Sequence, residues 1–501
     1  MLAPMPITTP RRVRTALTGV AVAMLCATLA AVGNANAAGP TSALPVGNSG
    51  TWLTDAQGRA VVLHGLNQVF KVPPYTPSAD GFGVDDAAFL AANGFDAMRV
   101  GVIWAAVEPT PGHYDEAYLN SIAATVQTLA THGIVSLLDF HQDLYNEKFE
   151  GEGAPAWAVQ DAGLPNPALG FPWNYFGNPA EDHAWDRFWQ NAPAPDGIGL
   201  QVHYARAWQH VAARFRSLPG VLGYEVMNEP WPGQLYQTCA IPVVGCPAFD
   251  ATLTAFYQRV RNAIRLADPL KTIWIEPNVL FSNFDATHIG TVHDAHLGWS
   301  FHDYCGTASI GLGTQLCAPL DQLTVSSAKQ YSTQHQVPWL LTEFGATNDL
   351  GNLAEMTALA DQNRLGWLEW AYTGNDKTSS SPNGQALVLD PSLPPTGANV
   401  LTAKLKVLAE PYPQAVSGTP VSWSFANGVF TLSYSTARVA APLTRFAAGS
   451  ETDIATPAIE FPAGYTVSVT GGAVASAPNA PVLRVLSTPG ATTITVTVRS
   501  G

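Results

Sequence analysis

The sequence predicts an α/β chain in which a (β/α)8 barrel, a TIM barrel, is followed by a C-terminal β-sandwich, and three observations carry that expectation. Eight short apolar runs recur between residues 50 and 372, separated by amphipathic stretches or long loops, which is the rhythm of parallel βα units. Polar residues gather at the ends of these runs, as they do where a barrel carries its reactive groups on the C-terminal ends of its strands. Beyond residue 412 the pattern changes to alternating β-branched and aromatic residues broken by Gly and Pro turns. With 501 residues, 47% hydrophobic and only 12% charged, the chain has the apolar content to bury both cores.

Taken in order, residues 1–37 are expected to be a secretory signal, which makes the protein extracellular. Arg11, Arg12 and Arg14 precede the apolar stretch 16–32, and Ala35-Asn36-Ala37 supplies the small residues that a signal peptidase accepts. That stretch is short for a membrane span of about 20 residues, and Leu25 before Cys26 disfavours a lipid anchor. Asp and Glu number 38 against 24 Lys and Arg, a net charge of -14, so the surface repels phosphate backbones and nucleic acid is excluded as a partner. The chain is expected to act as a monomer. Cys26 leaves with the signal, and Cys239, Cys246, Cys305 and Cys317 remain for disulfides in an oxidising compartment. Proximity favours Cys239 with Cys246 and Cys305 with Cys317 among the three possible connectivities. No close Cys-x-x-Cys pair is present, and no metal or organic cofactor is expected.

Residues 38–411 are assigned to the barrel. Its strand runs are 61–67, 97–102, 134–141, 221–229, 272–278, 297–304, 338–345 and 366–372, with helical patterning clearest over 117–132, 202–215 and 252–267. A last helix over 400–409 completes the outer ring. Asn67, Arg99, His141, Asn228, Glu229, Glu276, His302, Tyr304, Glu343, Glu369 and Trp370 lie at or near run ends. The segment 142–198 is a long loop carrying Trp157, Phe171, Trp173, Tyr175, Phe176, Trp185 and Trp189, which fits a binding wall or a stabilising subdomain with its own small core. Residues 412–501 form the sandwich, with strands at 421–425, 429–434, 465–469, 482–486 and 492–498.

Two strand-end glutamates carry the chemistry. Glu229 lies in Val226-Met227-Asn228-Glu229-Pro230 and Glu343 in Leu341-Thr342-Glu343-Phe344-Gly345, at the ends of runs four and seven, which a barrel brings to one pocket. Glycosidic cleavage needs a proton for the departing oxygen and stabilisation of a cationic anomeric carbon, so one protonated and one ionised carboxyl group is the minimum equipment. A helix cap or an arginine partner is the ordinary role of any single strand-end acid. The coincidence of two with His, Tyr, Arg and Trp at other strand ends favours catalysis.

The Asn-Glu-Pro and Thr-Glu-Phe-Gly segments, Arg99, His141, the pair His302 and Tyr304, and Trp370 resemble the residue set of glycoside hydrolase family 5, a retaining (β/α)8 family. Within it, His141-Gln142-Asp143-Leu144-Tyr145, Gly151-Glu152-Gly153-Ala154-Pro155-Ala156-Trp157, the stretch 67–75 and Pro462-Ala463-Gly464-Tyr465-Thr466-Val467 resemble the endoglycosylceramidases and related glycosphingolipid hydrolases. The resemblance implies that Glu229 is the general acid/base and Glu343 the nucleophile. It implies that Arg99 favours ionised Glu343, that Tyr304 donates to it, that Asn228 bonds the sugar 2-hydroxyl, that His141 and His302 orient the site, and that Trp370 lies under the sugar ring. Lys71 and Asp143 are placed beside the sugar next to the cleaved bond, with ordinary surface charges as the competing reading.

The expected activity is that of a retaining endo-β-glycosidase cleaving between oligosaccharide and ceramide in glycosphingolipids, with contact to a membrane surface to reach the lipid. Loop aromatics with Leu280, Phe281 and Phe284 are expected to build an apolar groove for it. A family 5 β-glucosidase or endoglucanase acting on soluble or sterol-linked glucosides, and a non-catalytic glycan- or lipid-binding protein, are the alternatives.

Overall fold

The computed structural model describes residues 47–239, 244–283, 286–305, 314, 316–374 and 385–501. The expected signal at 1–37 and Phe284 lie outside the described residues. Eight parallel strands close a barrel in chain order: β1 (His64–Gln68), β2 (Ala97–Ile103), β3 (Val135–His141), β4 (Val221–Glu225), β5 (Thr272–Ile275), β6 (Leu297–Asp303), β7 (Trp339–Phe344) and β8 (Gly366–Glu369), which returns to β1. Every residue of these strands is buried, which is why they read as continuous apolar runs. The barrel floor is packed by Leu63, Val135, Leu137, Leu222, Leu340 and Leu368 around Trp274. Gly298 is required there, because a Cβ would sit 2.4 Å from the Trp274 ring.

The runs differ from the strands chiefly at their ends. The fourth run continues to residue 229, but β4 stops at Glu225, since Glu229 adopts φ +41° and turns the chain into the pocket. The helix Glu116–Thr131 begins where Asp115 accepts hydrogen bonds from the N–H groups of Ala117 and Tyr118, and it buries Leu119, Ile122, Ala123, Val126 and Leu129 at helical spacing. The helix Pro247–Ala267 starts earlier than its apolar period shows, because Pro247 opens its first turn without losing a hydrogen bond. Disulfides join Cys239 to Cys246 and Cys305 to Cys317, the pairs that proximity favours.

The core of the C-terminal region lies between two antiparallel sheets, with a two-stranded ribbon of Ala437–Arg438 and Ala441–Arg445 beside them. The four-stranded sheet runs Thr419–Ala426, Val429–Ser435, Thr493–Ser500, Tyr465–Thr470. Ile494, Val496 and Val498 alternate inward from its third strand onto Leu483, Val485 and Ile454 of the second sheet. That second sheet has seven strands, and it crosses the division expected at residue 412: Gly47–Ser49, Trp52–Thr54 and Ala60–Val61 join Tyr412–Val416 in it. Tyr412–Val416 and Glu451–Ala455 escape the sequence pattern because Pro413 and Gln414 interrupt the first and Glu451, Thr452 and Asp453 dominate the second. The barrel and sheets are tied by polar contacts as well as packing. Trp423 Nε1 donates to Asp361, and the Tyr412 ring stacks on His64 at 3.7 Å; within the second sheet, Arg59 bonds Asp55 at 2.6 Å and Asp453 at 2.8 Å.

Candidate active site

Arg99, midway along β2 and fully buried, organises the strand ends. Its guanidinium donates to Glu225 and Glu343, to Asn67 Oδ1 at 3.1 Å and to Asn228 Oδ1 at 2.8 Å, and lies 3.0 Å from Asp139. Five donors in a fixed fork allow this simultaneous grip on strands β1, β3, β4 and β7. Asn228 is held from its other end too, since its Nδ2 donates to the Gln142 carbonyl at 2.9 Å. Among the described residues Asn228 Nδ2 donates nowhere else, which leaves one amide hydrogen for a ligand.

Glu343, on β7, is held on both oxygens: Oε1 by Arg99 and Oε2 by the Tyr304 hydroxyl at 2.7 Å. Glu229 has a different setting. Its Oε1 lies 2.8 Å from His302 Nδ1, its backbone N–H donates to Glu276, and no Lys or Arg lies within ion-pair distance among the described residues. Burial, reinforced by the charge of Asp143, pushes its carboxyl up to about 7, against the opposing effects of His141, Lys71 and Arg99. Burial likewise lowers His302 to about 4, so that imidazole is neutral at neutral pH. An oxygen of Glu229 and an oxygen of Glu343 approach within 4.8 Å. So close an approach of the nearest oxygens favours the short class of carboxyl separation, roughly 5 Å, at which the second carboxylate attacks the anomeric carbon directly, over the roughly 6.5 Å or more that an intervening water needs.

Lys71 and Asp143 are not surface charges. Both are 3% exposed and bonded to each other; Lys71 Nζ also lies 4.4 Å over the Trp370 ring, and His141 stacks on that ring at 5.4 Å. Although burial opposes it, Lys71 with His141 holds the Asp143 carboxyl below the ordinary carboxylate range. His141 Nδ1 meets Asp139 Oδ2 at 2.7 Å, and the Trp370 indole N–H donates to Gln385 at 2.8 Å. All ten predicted site residues therefore lie in one connected cluster around the strand ends.

Asp139 and Glu225, which grip Arg99, and Gln142, which donates to the carbonyls of Asn228 and Glu229, carried no sequence assignment. A charged residue inside an otherwise apolar buried run was the available signal for the first two. The long loop divides: Trp185 and Tyr175 are buried in the core, Trp157 and Trp189 donate inward to Glu108 and Trp231 carbonyls, while Phe171, Trp173 and Phe176 are exposed. Leu280 and Phe281 are a correction to the expected groove, because both are buried. Three acid and histidine clusters have metal-ligand spacing, namely His141 with Asp143 and Glu152, Glu225 with Glu276 and His302, and Glu229 with His302 and Glu343. Each already has a resident cation, Lys71 on Asp143 and Arg99 on Glu225 and Glu343, which an incoming metal ion would have to displace.

Residues 54–376 match the family described as Cellulase (glycosyl hydrolase family 5), and residues 411–498 match the family 5 C-terminal domain. The chain belongs to glycosyl hydrolase family 5. It is 33% identical to endoglycoceramidase I of Rhodococcus hoagii over 456 residues, 87% of this chain and 85% of that protein. Endo-glycoceramidase II from Rhodococcus sp. superposes with a TM-score of 0.72 over 90% of this chain and 99% of that one, at 28% identity for its lactosyl-enzyme intermediate and 27% for its ganglioside GM3 complex. Family 5 membership makes the chain a glycoside hydrolase, and the strand-end cluster is the place on its barrel where such chemistry belongs.

Proposed function

We propose that this family 5 enzyme is a retaining endo-β-glycosidase that releases the intact oligosaccharide from ceramide in glycosphingolipids. The observation that carries the retaining mechanism is the approach of Glu229 and Glu343 within 4.8 Å in unlike surroundings. Glu343 attacks the anomeric carbon while Glu229 gives its proton to the glycosidic oxygen, so ceramide leaves as a neutral alcohol and a glycosyl-enzyme forms. Loss of the negative charge on Glu343 in that ester favours ionised Glu229, which then takes a proton from water as water displaces the sugar. Arg99 and Tyr304 hold the nucleophile, Asn228 is placed for the sugar 2-hydroxyl, and Lys71 with Asp143 faces the sugar over Trp370. The glycosphingolipid substrate is supported by the similarity to endoglycoceramidases, one of which is known with ganglioside GM3.

The leaving group departs on the Glu229 side. Trp231, two residues on, packs edge-on against Phe176 at 5.4 Å, and Leu169, Phe171 and Trp173 of the same loop segment as Phe176 are exposed apolar side chains, Trp173 by 53%. These side chains are proposed to rest on the membrane surface that holds the ceramide. No helix among the described residues is long and apolar enough to cross a membrane. Export is proposed from the signal-like residues 1–37, in keeping with the two disulfides.

Mass spectrometry of products from a detergent-dispersed ganglioside, a galactosylceramide and a soluble cello-oligosaccharide, with Glu343→Gln as control, tests the proposal. Intact oligosaccharide plus ceramide, absent from the control, is expected. Cleavage of the cello-oligosaccharide alone sinks the glycolipid assignment and leaves family membership standing; galactose plus ceramide alone moves the enzyme to short galactosylated substrates.

A further inference from the structure

Glu276, just past the end of β5, is an acid for which the mechanism above has no use. It is 1% exposed. Its Oε1 accepts the backbone N–H of Glu229, and its Oε2 lies 3.1 Å from His302 Nε2. Both atoms are buried and neither makes a hydrogen bond among the described residues, the 3.1 Å approach included, so a small turn of the carboxyl group would satisfy both at once. The opposite edge of the same imidazole faces both reacting carboxylates, with Nδ1 2.8 Å from Glu229 Oε1 and 3.5 Å from Glu343 Oε2. The histidine is thus a bridge between Glu276 and the catalytic pair.

The tautomer of that bridge decides where the acid's proton points. A lone pair on Nδ1 would face the oxygens of two acids, and it would draw the proton of Glu229 away from the substrate. A hydrogen on Nδ1 satisfies Glu229 Oε1 instead and leaves the proton on the oxygen free to meet the leaving group. Nδ1–H puts the lone pair on Nε2, which then needs a donor, and the neighbour at 3.1 Å is a carboxyl oxygen. A carboxyl group is a donor only when protonated.

Charge balance selects the same state. Arg99 is already shared among Asp139, Glu225 and Glu343, and among the described residues no Lys or Arg lies within ion-pair distance of Glu276. The charged and titratable groups that face Glu276 are Glu225, Arg99, Glu229, Asp139, His302 and the phenols of Tyr204 and Tyr257, the Tyr257 hydroxyl donating to its backbone carbonyl at 2.7 Å. Burial first, then the negative charge of Glu225, raises its carboxyl well above the ordinary range despite Arg99.

We propose that Glu276 is a positioning residue that works as a neutral carboxylic acid, accepting the Glu229 backbone N–H on Oε1 and donating from Oε2 to His302 Nε2, so that His302 keeps its hydrogen on Nδ1 toward the general acid. The proposal rests on the reading of Glu229 as that acid. Glutamine reproduces a protonated glutamate at this position, offering a carbonyl to the backbone and an N–H to the imidazole, whereas leucine offers neither.

The test compares kcat/KM of the full chain and its variants on an alkyl β-lactoside, whose leaving group needs a proton, and on a dinitrophenyl β-lactoside, whose leaving group does not. Glu276→Gln is expected to stay within about threefold of the parent on both. Glu276→Leu is expected to lose about tenfold or more on the alkyl substrate while keeping its rate on the activated one. Ring-nitrogen chemical shifts in isotope-labelled histidine, assigned with a His302→Gln variant, are expected to place the hydrogen of His302 on Nδ1 in the parent and in Glu276→Gln. A Gln variant as impaired as the Leu variant, equal losses of the Leu variant on both substrates, or a hydrogen on Nε2 overturns the proposal; should Leu not fold, the Gln variant and the nitrogen shifts still decide it. Glu229→Ala separates the two readings: if it loses equally on both substrates, the assignment of the acid fails, and the shifts judge the Glu276 contact independently.

Discussion

Glu229 and Glu343 are the same residue type, buried to nearly the same degree and within 4.8 Å of each other, yet their neighbourhoods differ in kind. Glu343 has a guanidinium on one oxygen and a phenol on the other. Glu229 has a neutral imidazole, a backbone that turns through φ +41°, and the negative charge of Asp143 nearby. A carboxyl group compensated by a buried arginine is suited to attack; one that burial holds partly protonated is suited to give a proton. The division of labour thus lies in what Arg99 can reach and what it cannot.

The largest break in this comparison comes from removing the compensated partner. Glu343→Gln removes the nucleophile and is expected to lower kcat by about 10^4-fold or more on every glycoside, because no covalent intermediate can form. Glu229→Ala is expected to cost about 10^2- to 10^4-fold in kcat/KM where the leaving group is an alcohol, and little where it is a dinitrophenolate. Added azide should restore turnover in that variant as a β-glycosyl azide, the product of attack on the glycosyl-enzyme without base assistance. An α-azide product, or an equal loss on both leaving groups, would remove Glu229 from the role of acid.

The wild-type pH profile reads the same contrast without mutation. Productive attack needs Glu229 protonated, and its carboxyl is raised to about 7, so kcat/KM on an alkyl glycoside is expected to fall tenfold per unit as pH climbs above about 7. The activated glycoside should keep its rate through that range. Parallel falls on both substrates would tie the limb to another group.

How much of this was legible in the sequence follows from where each residue sits along its strand. The eight barrel runs and the site residues at or near their ends were readable, because burial on both faces makes a parallel strand continuously apolar and any polar residue at its end conspicuous. Asp139 and Glu225 were hidden inside such runs, and their partner Arg99 gave no indication of how many carboxylates it gathers. Gln142 acts through main-chain carbonyls, which leave no trace in side-chain patterning. The strands Gly47–Ser49 and Trp52–Thr54 are three residues each and take their stability from a sheet built mainly by the far end of the chain, a nonlocal pairing that no local pattern records. Of the loop aromatics, identity alone could not separate the buried Trp185 from the exposed Trp173, since both lie in one aromatic-rich segment and differ only in which side meets the core.

The finest resolution of the comparison comes from Asp143, which touches neither glutamate by hydrogen bond yet is, after burial, the leading influence that raises Glu229. Asp143→Asn removes a negative charge and with it the carboxylate that neutralises the Lys71 ammonium, whose charge already opposes the rise; both changes favour ionised Glu229. His141 loses a partner at 3.5 Å and with it some protonation, which acts the other way and reduces the net effect. The expected result is a basic limb displaced to lower pH, with a loss of about tenfold in kcat/KM below the limb if the sugar contact is also lost. Tyr304→Phe is the matched control, since its hydroxyl serves Glu343: it should lower kcat about tenfold and leave the limb where it was. A limb that moves in Tyr304→Phe and stays in Asp143→Asn would show that the two carboxyl groups titrate as one coupled pair, and the assignment of separate environments would give way to a shared proton.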